Sequence, residues 1–447
     1  MSDLADIAAL GPDGVYRTHR QETIYDTGGT AVAEMSLVPR IFVTRAVMAQ
    51  RRARPLPLPH RQQSLLHAAS IFATERLGGL DFEDYLDLTC RISGLPRAVA
   101  TTGAQAAADG MRTAFDAVLP AQPRGATLNW AEQSAGALWA RRGEVLAVHA
   151  PGNAPGVHGL WPQALALGLR VAVRPSRREP LTAHRMILAL RKAGFRDSDA
   201  VFLPTDYAGA DHLIAAGDLA LVYGGQDVVD RYTGNPNVLT NGPGRTKILI
   251  TAEQDWRPHL DTIVDSIGGL AGMACVNTTA VLYEGDPAEL AQAIAERLAA
   301  IPVAELPSSP WTAADQLVRH LRDKAVGTTA LLGADQVLLD RGDGYAVLRP
   351  ALHLLRGPDP AILNVEMPFP CAWVAEWRRA DGLAPLRNSL VLNVITEDHA
   401  LVDDIVTEPT IINVYLGRHT TYRSDPQVPH EGFLADFLMR NMGFIRS

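Results

Sequence analysis

A chain of 447 residues is too long for one compact core and divides comfortably into two domains. Apolar residues make up 47% and charged residues 20%, which excludes a disordered chain and implies a globular one. A formal charge of −8 counts against a nucleic-acid binder, and no apolar run approaches the ~18 residues of a membrane helix. The three cysteines, Cys90, Cys275 and Cys371, cannot form a paired framework, and their spacing fits no zinc site. The acidic start Met1-Ser-Asp-Leu-Ala-Asp6 lacks the basic opening of a signal peptide. A cytoplasmic, reducing location is the expectation.

The first 120 residues carry helical periodicity with basic stretches. Pro55-Leu-Pro-Leu-Pro59 breaks them as an extended segment. Arg40, Arg45, Arg51, Arg52, Arg54 and Arg61 lie around it. Such a run is usually a solvated helical face; here it is also a candidate surface for an acidic partner. From Glu144 the pattern becomes short apolar strands alternating with amphipathic helices. Strands are predicted at 145–150, 170–173, 200–203 and 219–223, and helices at 157–167, 181–193 and 208–216. This βαβ rhythm implies a parallel sheet covered on both faces. A second α/β unit begins with a strand at 246–250. It continues through a helix at 260–269, a strand at 279–283, a helix at 287–300 and a turn at 357–360.

Cys275 sits in Ile267-Gly-Gly-Leu-Ala-Gly-Met-Ala-Cys-Val-Asn-Thr-Thr-Ala-Val-Leu-Tyr283. A lone cysteine is more often a buried structural thiol. Here the glycines at 268, 269 and 272 permit close approach of substrate to backbone, and N–H groups on such a turn lower a thiol pKa. Cys275 therefore reads as a nucleophile. Pro151-Gly-Asn-Ala-Pro155 follows the strand at 145–150. Its composition suits an ordinary turn. At the C-terminal edge of a parallel sheet, where ligands bind, Asn153 reads instead as an amide donor for a developing oxyanion. Arg174-Pro-Ser-Arg-Arg-Glu-Pro180 is a basic loop after the next strand, and Gly224-Gly225 opens a helix after the strand at 219–223. A helix start of that kind suits a pyrophosphate, although many βα turns carry a Gly pair. Glu366 stands in Glu366-Met-Pro-Phe-Pro370.

These segments together resemble the aldehyde dehydrogenase superfamily over about residues 144–443. The resemblance implies an aldehyde dehydrogenase-like α/β fold. A Rossmann-type cofactor domain would cover 1–244, with 414–447 folding back on it, and an α/β catalytic domain 245–413. A small oligomerisation hairpin is expected around 127–130 and 138–141, in a homodimer or larger assembly. Cys275 would be the nucleophile and Asn153 the oxyanion donor. The family's Pro-Trp-Asn-Phe-Pro carries Gly152 and Ala154 here, a form more like the superfamily's acyl-thioester reductases, such as the fatty acyl reductase of bacterial bioluminescence. In the family's Lys-Pro-Ser-Glu, Lys and Glu hold the adenosine ribose. Arg174, Ser176 and Arg177 occupy the corresponding places. An Arg where Glu is usual would pair with a 2′-phosphate, so NADPH is expected to be preferred, with NADH possible. Gly224 and Gly225 would face the pyrophosphate. Glu366 would face the nicotinamide ribose, with Pro368 and Phe369 where the family has Phe and Gly.

Hydrolytic relatives carry a general-base Glu in Glu-Leu-Gly-Gly-Lys. The matching stretch here is Leu239-Thr-Asn-Gly-Pro-Gly-Arg-Thr-Lys247, and no Asp or Glu occurs between Asp230 and Glu253. An acyl enzyme without that base would outlast water and exchange with a thiol. The expected activity is NAD(P)H-dependent reduction of an acyl-CoA or acyl-carrier-protein thioester to an aldehyde. Three rivals stand beside it: a hydrolytic aldehyde dehydrogenase with its base recruited from elsewhere, an acyl-phosphate reductase similar to the glutamyl-semialdehyde enzymes, and a non-catalytic member. Residues 428–433 read as a substrate-facing loop, and His419 and His430 as satisfied structural histidines.

Overall fold

The computed structural model describes residues 4–132 and 134–446. Its first seven-stranded sheet has the order Val238–Asn241, Leu219–Tyr223, Val145–His149, Arg170–Arg174, Ala200–Phe202, Ala9–Gly11, Gly14–Tyr16. Five strands are parallel, and the last two form an antiparallel edge. Helices Leu58–Thr74, Arg97–Arg112 and Leu181–Lys192 cover one face, and Arg40–Arg52 and Tyr207–Ala216 the other. With both faces covered, the central strands carry continuous apolar runs rather than alternation. The chain moves from Val145–His149 to one side through Arg170–Arg174 and later to the other through Leu219–Tyr223. The order therefore reverses between Val145–His149 and Leu219–Tyr223. The loops that leave those strands border a crevice at their carboxyl ends.

The second seven-stranded sheet has the order Thr329–Leu332, Ala351–Leu354, Cys371–Glu376, Thr278–Tyr283, Thr246–Ile250, Ser389–Ile395, Ile411–Leu416. All its pairings are parallel except that of Thr329–Leu332. Leu260–Gly268 and Ala288–Ala299 bury Ile263, Ile267, Leu290 and Leu298 on one face. Trp311–Lys324 and His399–Thr407 bury Val318, Leu321, Leu401 and Ile405 on the other. Gly244, Cys275 and the 366–370 segment each precede the amino end of one of three adjacent strands, so sheet register alone gathers them.

The C-terminal stretch returns to the first core, where Leu434, Ala435, Leu438 and Met439 are buried. Strand Met439–Ile445 pairs antiparallel with Ala135–Arg141. This corrects the expected hairpin: Ala126–Thr127 runs parallel to Ala135–Arg141, and the antiparallel partner comes from the chain end. Other departures are local. Strands Ala5–Ile7, Ala9–Gly11, Gly14–Tyr16, Gln21–Tyr25 and Ala31–Ser36 occupy a region read only as helical. Most are too short to show alternation. Pro57 caps a helix that begins at Leu58, so the Pro-rich segment is extended only at its start; Pro59 falls in the first turn, where its missing N–H costs little. The helix read at 157–167 splits into a 3₁₀ turn, Pro155–Gly159, and Pro162–Ala166, with Pro162 at the break. Within the basic run, Arg61 is buried and Arg51 pairs with Asp218 at 2.7 Å, while Arg40, Arg45, Arg52 and Arg54 stay exposed. Among the described residues no helix is long and apolar enough to cross a membrane.

Candidate active site

The turn before Cys275 is built from three successive left-handed residues, Leu270, Ala271 and Gly272, at φ 52°, 57° and 65°. For the first two that conformation costs on the order of 1–2 kcal/mol each, so neighbours must hold it. Asn277 does much of this. Its Nδ2 donates to the carbonyls of Gly269 (2.7 Å) and Ser266 (3.1 Å), and its Oδ1 accepts from Ala274 N–H at 2.9 Å. Sequence reasoning missed this residue; its signal was an Asn two places after the cysteine in a Gly-rich turn. The Cys275 carbonyl accepts from the Thr246 hydroxyl at 3.1 Å. Gly244 packs directly on it, where any Cβ would overlap that oxygen.

Carboxylates surround the thiol. Glu366 Oε1 accepts from the N–H groups of Gly244 (3.1 Å) and Arg245 (2.9 Å), and burial still raises its pKa. Glu431 Oε2 accepts from Gly242 N–H at 3.3 Å; burial, helped by the Glu366 charge, pushes it up to about 8. His430 Nε2 lies 3.6 Å from Cys275 Sγ and 4.0 Å from Glu431 Oε1. That contact puts His430, read from the sequence as a structural histidine, beside the thiol, and Glu431 comes from the same segment, read only as a substrate-facing loop. The expected lowering of the thiol pKa is also overturned. The N–H groups of Cys275 and Val276 do pull it down, but burial, then Glu431 and Glu366, push it up to about 12.

Asn153 reaches this turn from the first sheet. Its Nδ2 donates to the Met273 carbonyl at 3.3 Å, two residues before the thiol, while its Oδ1 is buried without a partner. The loop holding it explains Gly152: a side chain there would collide with the Ser176 hydroxyl. Ser176 Oγ accepts from Arg178 N–H at 3.2 Å. Arg174 is buried, lies 3.4 Å from His149 Nε2 and sits over the Tyr207 ring at 5.6 Å, with its Nε unpartnered. Arg177 shares that ring at 5.8 Å but is ion-paired with Glu22 at 2.9 Å. Glu179, two residues from Arg177, is buried 3.6 Å from His158 and plays no part there. Gly225 stands at the start of Gln226–Tyr232, a helix with no side-chain cap, and Gly224 N–H donates to Asn241 O at 3.1 Å. Cys275, Asn153 and Glu366 thus converge, while Arg174, Ser176 and Arg177 form a separate cluster beyond Gly152.

Solved structures share this architecture. A γ-glutamyl-γ-aminobutyraldehyde dehydrogenase from Burkholderia cenocepacia matches with TM-score 0.82 and 17% identity, over 99% of this chain and 97% of that one. An indole-3-acetaldehyde dehydrogenase bound to NAD+ matches with TM-score 0.82 and 15% identity, over 99% and 97%. A 3,6-anhydro-L-galactose dehydrogenase in complex with NADP matches with TM-score 0.81 and 16% identity, over 98% and 99%. At such identities the likeness establishes the fold alone. No curated protein sequence matches the chain. The family model described as the aldehyde dehydrogenase family matches residues 19–433, nearly the whole length. With that match, and a fold that sets a cysteine turn against an asparagine from a doubly wound sheet, the chain belongs to the aldehyde dehydrogenase family of oxidoreductases.

Proposed function

We propose that this enzyme reduces an acyl thioester, carried by CoA or an acyl-carrier protein, to an aldehyde through an acyl group on Cys275. The observation that carries the reading is the loop at 242–245. No Asp or Glu lies in the stretch 239–247 that matches the base-bearing motif of hydrolytic relatives, and the bare backbone of Gly244 packs on the Cys275 carbonyl. The Cys275 sulfur would form the C–S bond to the acyl carbon while the Asn153 amide and the Cys275 N–H hold the oxyanion, and the thiol of the substrate departs. A nicotinamide dinucleotide fits the remaining groups, since the buried Nε of Arg174 lacks a partner and the helix after Gly225 lacks a cap. Arg174, Ser176 and Arg177 would hold its adenosine end, Gly224 and Gly225 its pyrophosphate, and Glu366 its nicotinamide ribose. Bound there, it supplies the hydride that brings the acyl group to the aldehyde level. The two neighbours solved with NAD+ and NADP support a cofactor of this kind.

One observation favours the hydrolytic reading: Glu431 is delivered to Gly242, on the loop that lacks a base of its own. Its pKa, raised by burial to about 8, weighs against it at neutral pH. The group is raised, so most of it is protonated at pH 7 and the carboxylate that could take a proton from water grows as the pH approaches and passes about 8. Given an aldehyde and oxidised cofactor at pH 7 without a thiol acceptor, the enzyme is expected to stop after one turnover. Adding CoA or a carrier-bound thiol should restore cycling. Sustained acid release at the thiol-supplemented rate would replace this proposal with the hydrolytic one. Acid release that rises with pH and levels off above about pH 8, and is lost in Glu431→Gln, would assign the base to Glu431.

Arg177 is proposed to favour NADPH, with the 2′-phosphate displacing Glu22 from the guanidinium. Arg177→Glu is expected to weaken NADPH binding by about 1.5–3 kcal/mol, the range for a charge-assisted hydrogen bond, with a smaller effect on NADH. Equal NADPH dissociation constants in both proteins would refute the pairing.

A further inference from the structure

The segment that follows strand Ile411–Leu416 crosses back from the catalytic sheet to the first core and passes the thiol on its way. Asn413, buried in that strand, fixes its position by donating to the carbonyls of Leu390 (3.0 Å) and His430. With its backbone held there, His430 turns Nε2 to the Cys275 sulfur at 3.6 Å. We infer that His430 is the proton acceptor for Cys275, a catalytic residue supplied by the C-terminal segment. The inference rests on reading Cys275 as the nucleophile.

Among the described residues, the other titratable groups near the thiol are less suited to the task. Glu366 has one carboxylate oxygen committed to two backbone N–H groups, beside the Arg245 charge. Glu431 is mostly protonated at pH 7. Tyr223 is half-buried, and its phenol is pushed up by desolvation, Glu431 and Cys275. Lys247, lowered by burial and the Arg245 charge to about 7, has its Nζ taken up by the carbonyls of Arg245 and Arg387 and the Ser389 hydroxyl. Burial lowers the His430 pKa, so its imidazole rests neutral at pH 7 with a lone pair to offer. The proton leaves Sγ for Nε2, giving thiolate and imidazolium. The sulfur pair forms the C–S bond to the acyl carbon. As the carbonyl reforms, the departing thiolate takes the old C–S bonding pair and the His430 proton, and the imidazole returns to neutral. A thiol pushed up to about 12 by burial, Glu431 and Glu366 carries its proton at neutral pH, so a neighbouring acceptor must take it as the sulfur attacks.

The test is alkylation of Cys275 by iodoacetamide in the full-length protein, followed by mass spectrometry from about pH 6 to about pH 10. Wild type is expected to label at neutral pH with a shallow pH dependence. His430→Gln, which keeps the size and loses the basic nitrogen, should label at least about tenfold more slowly at pH 7. Its rate should climb about tenfold per pH unit toward the alkaline range. His430→Ala should behave the same way, with unchanged Cys90 labelling as the control for folding. Equal rates and profiles in wild type and both variants would overturn the inference, as would a wild-type thiol that labels only in alkali. Acylation of wild-type Cys275 by acyl thioesters, read in parallel by mass, separates the two ideas. Lost alkylation in His430→Gln with no thioester acylation would retain His430 as the base and reject the substrate class.

Discussion

Cys275→Ser is expected to lower thioester reduction by at least about 10⁴-fold, the scale on which loss of a nucleophile acts in comparable two-step enzymes. The reason lies in the surroundings of the side chain. A site that pushes a thiol up to about 12 through burial and two carboxylates would hold a far weaker acid, a serine hydroxyl, fully protonated. Stability should hardly change. Oxygen replaces sulfur without adding volume, and the turn is held by Asn277 and Thr246 through backbone groups. A melting temperature within about 2 °C of wild type, together with intact NADPH binding, is the expected companion result. Activity within about tenfold of wild type would remove Cys275 from the chemistry.

Asn153→Ala is expected to reduce turnover by about 10²–10³, or ~2.7–4 kcal/mol, as loss of an oxyanion donor does. The structural contribution of Asn153 is much smaller. Its one hydrogen bond, to Met273 O, is long at 3.3 Å, and such a bond is worth about 1 kcal/mol net. Its Oδ1 is buried without a partner, so truncation also relieves a desolvated acceptor. The two effects on folding oppose one another, and the melting temperature should move little while kcat falls. A lowered melting temperature with normal turnover per folded molecule would make Asn153 a structural residue.

Local pattern carried much of the architecture. Strands Leu219–Tyr223 and Thr246–Ile250 fall where the sequence places them, because a strand buried on both faces must be apolar throughout. The amphipathic helices Leu181–Lys192 and Ala288–Ala299 lie within a residue of their predicted bounds for the matching reason. The strands at the N-terminus escaped notice because three to six residues leave too little periodicity to read. The antiparallel partner of Ala135–Arg141 escaped because it lies at the other end of the chain.

By itself the sequence determined the family, the two α/β sheets and the segments that meet at the cysteine, since each of these is encoded by contiguous residues. Only the tertiary structure decided the electrostatics of the site. His430 is 155 residues from Cys275, and Glu431 reaches Gly242 across a separation of 189. Glu22 takes Arg177 from a strand of the N-terminal sheet. A pKa depends on how deeply a group is buried and which charges share its low-dielectric surroundings. Those are properties of the packed molecule, which is why the thiol whose turn suggests an acid strengthened by N–H groups is instead a weak one beside a histidine.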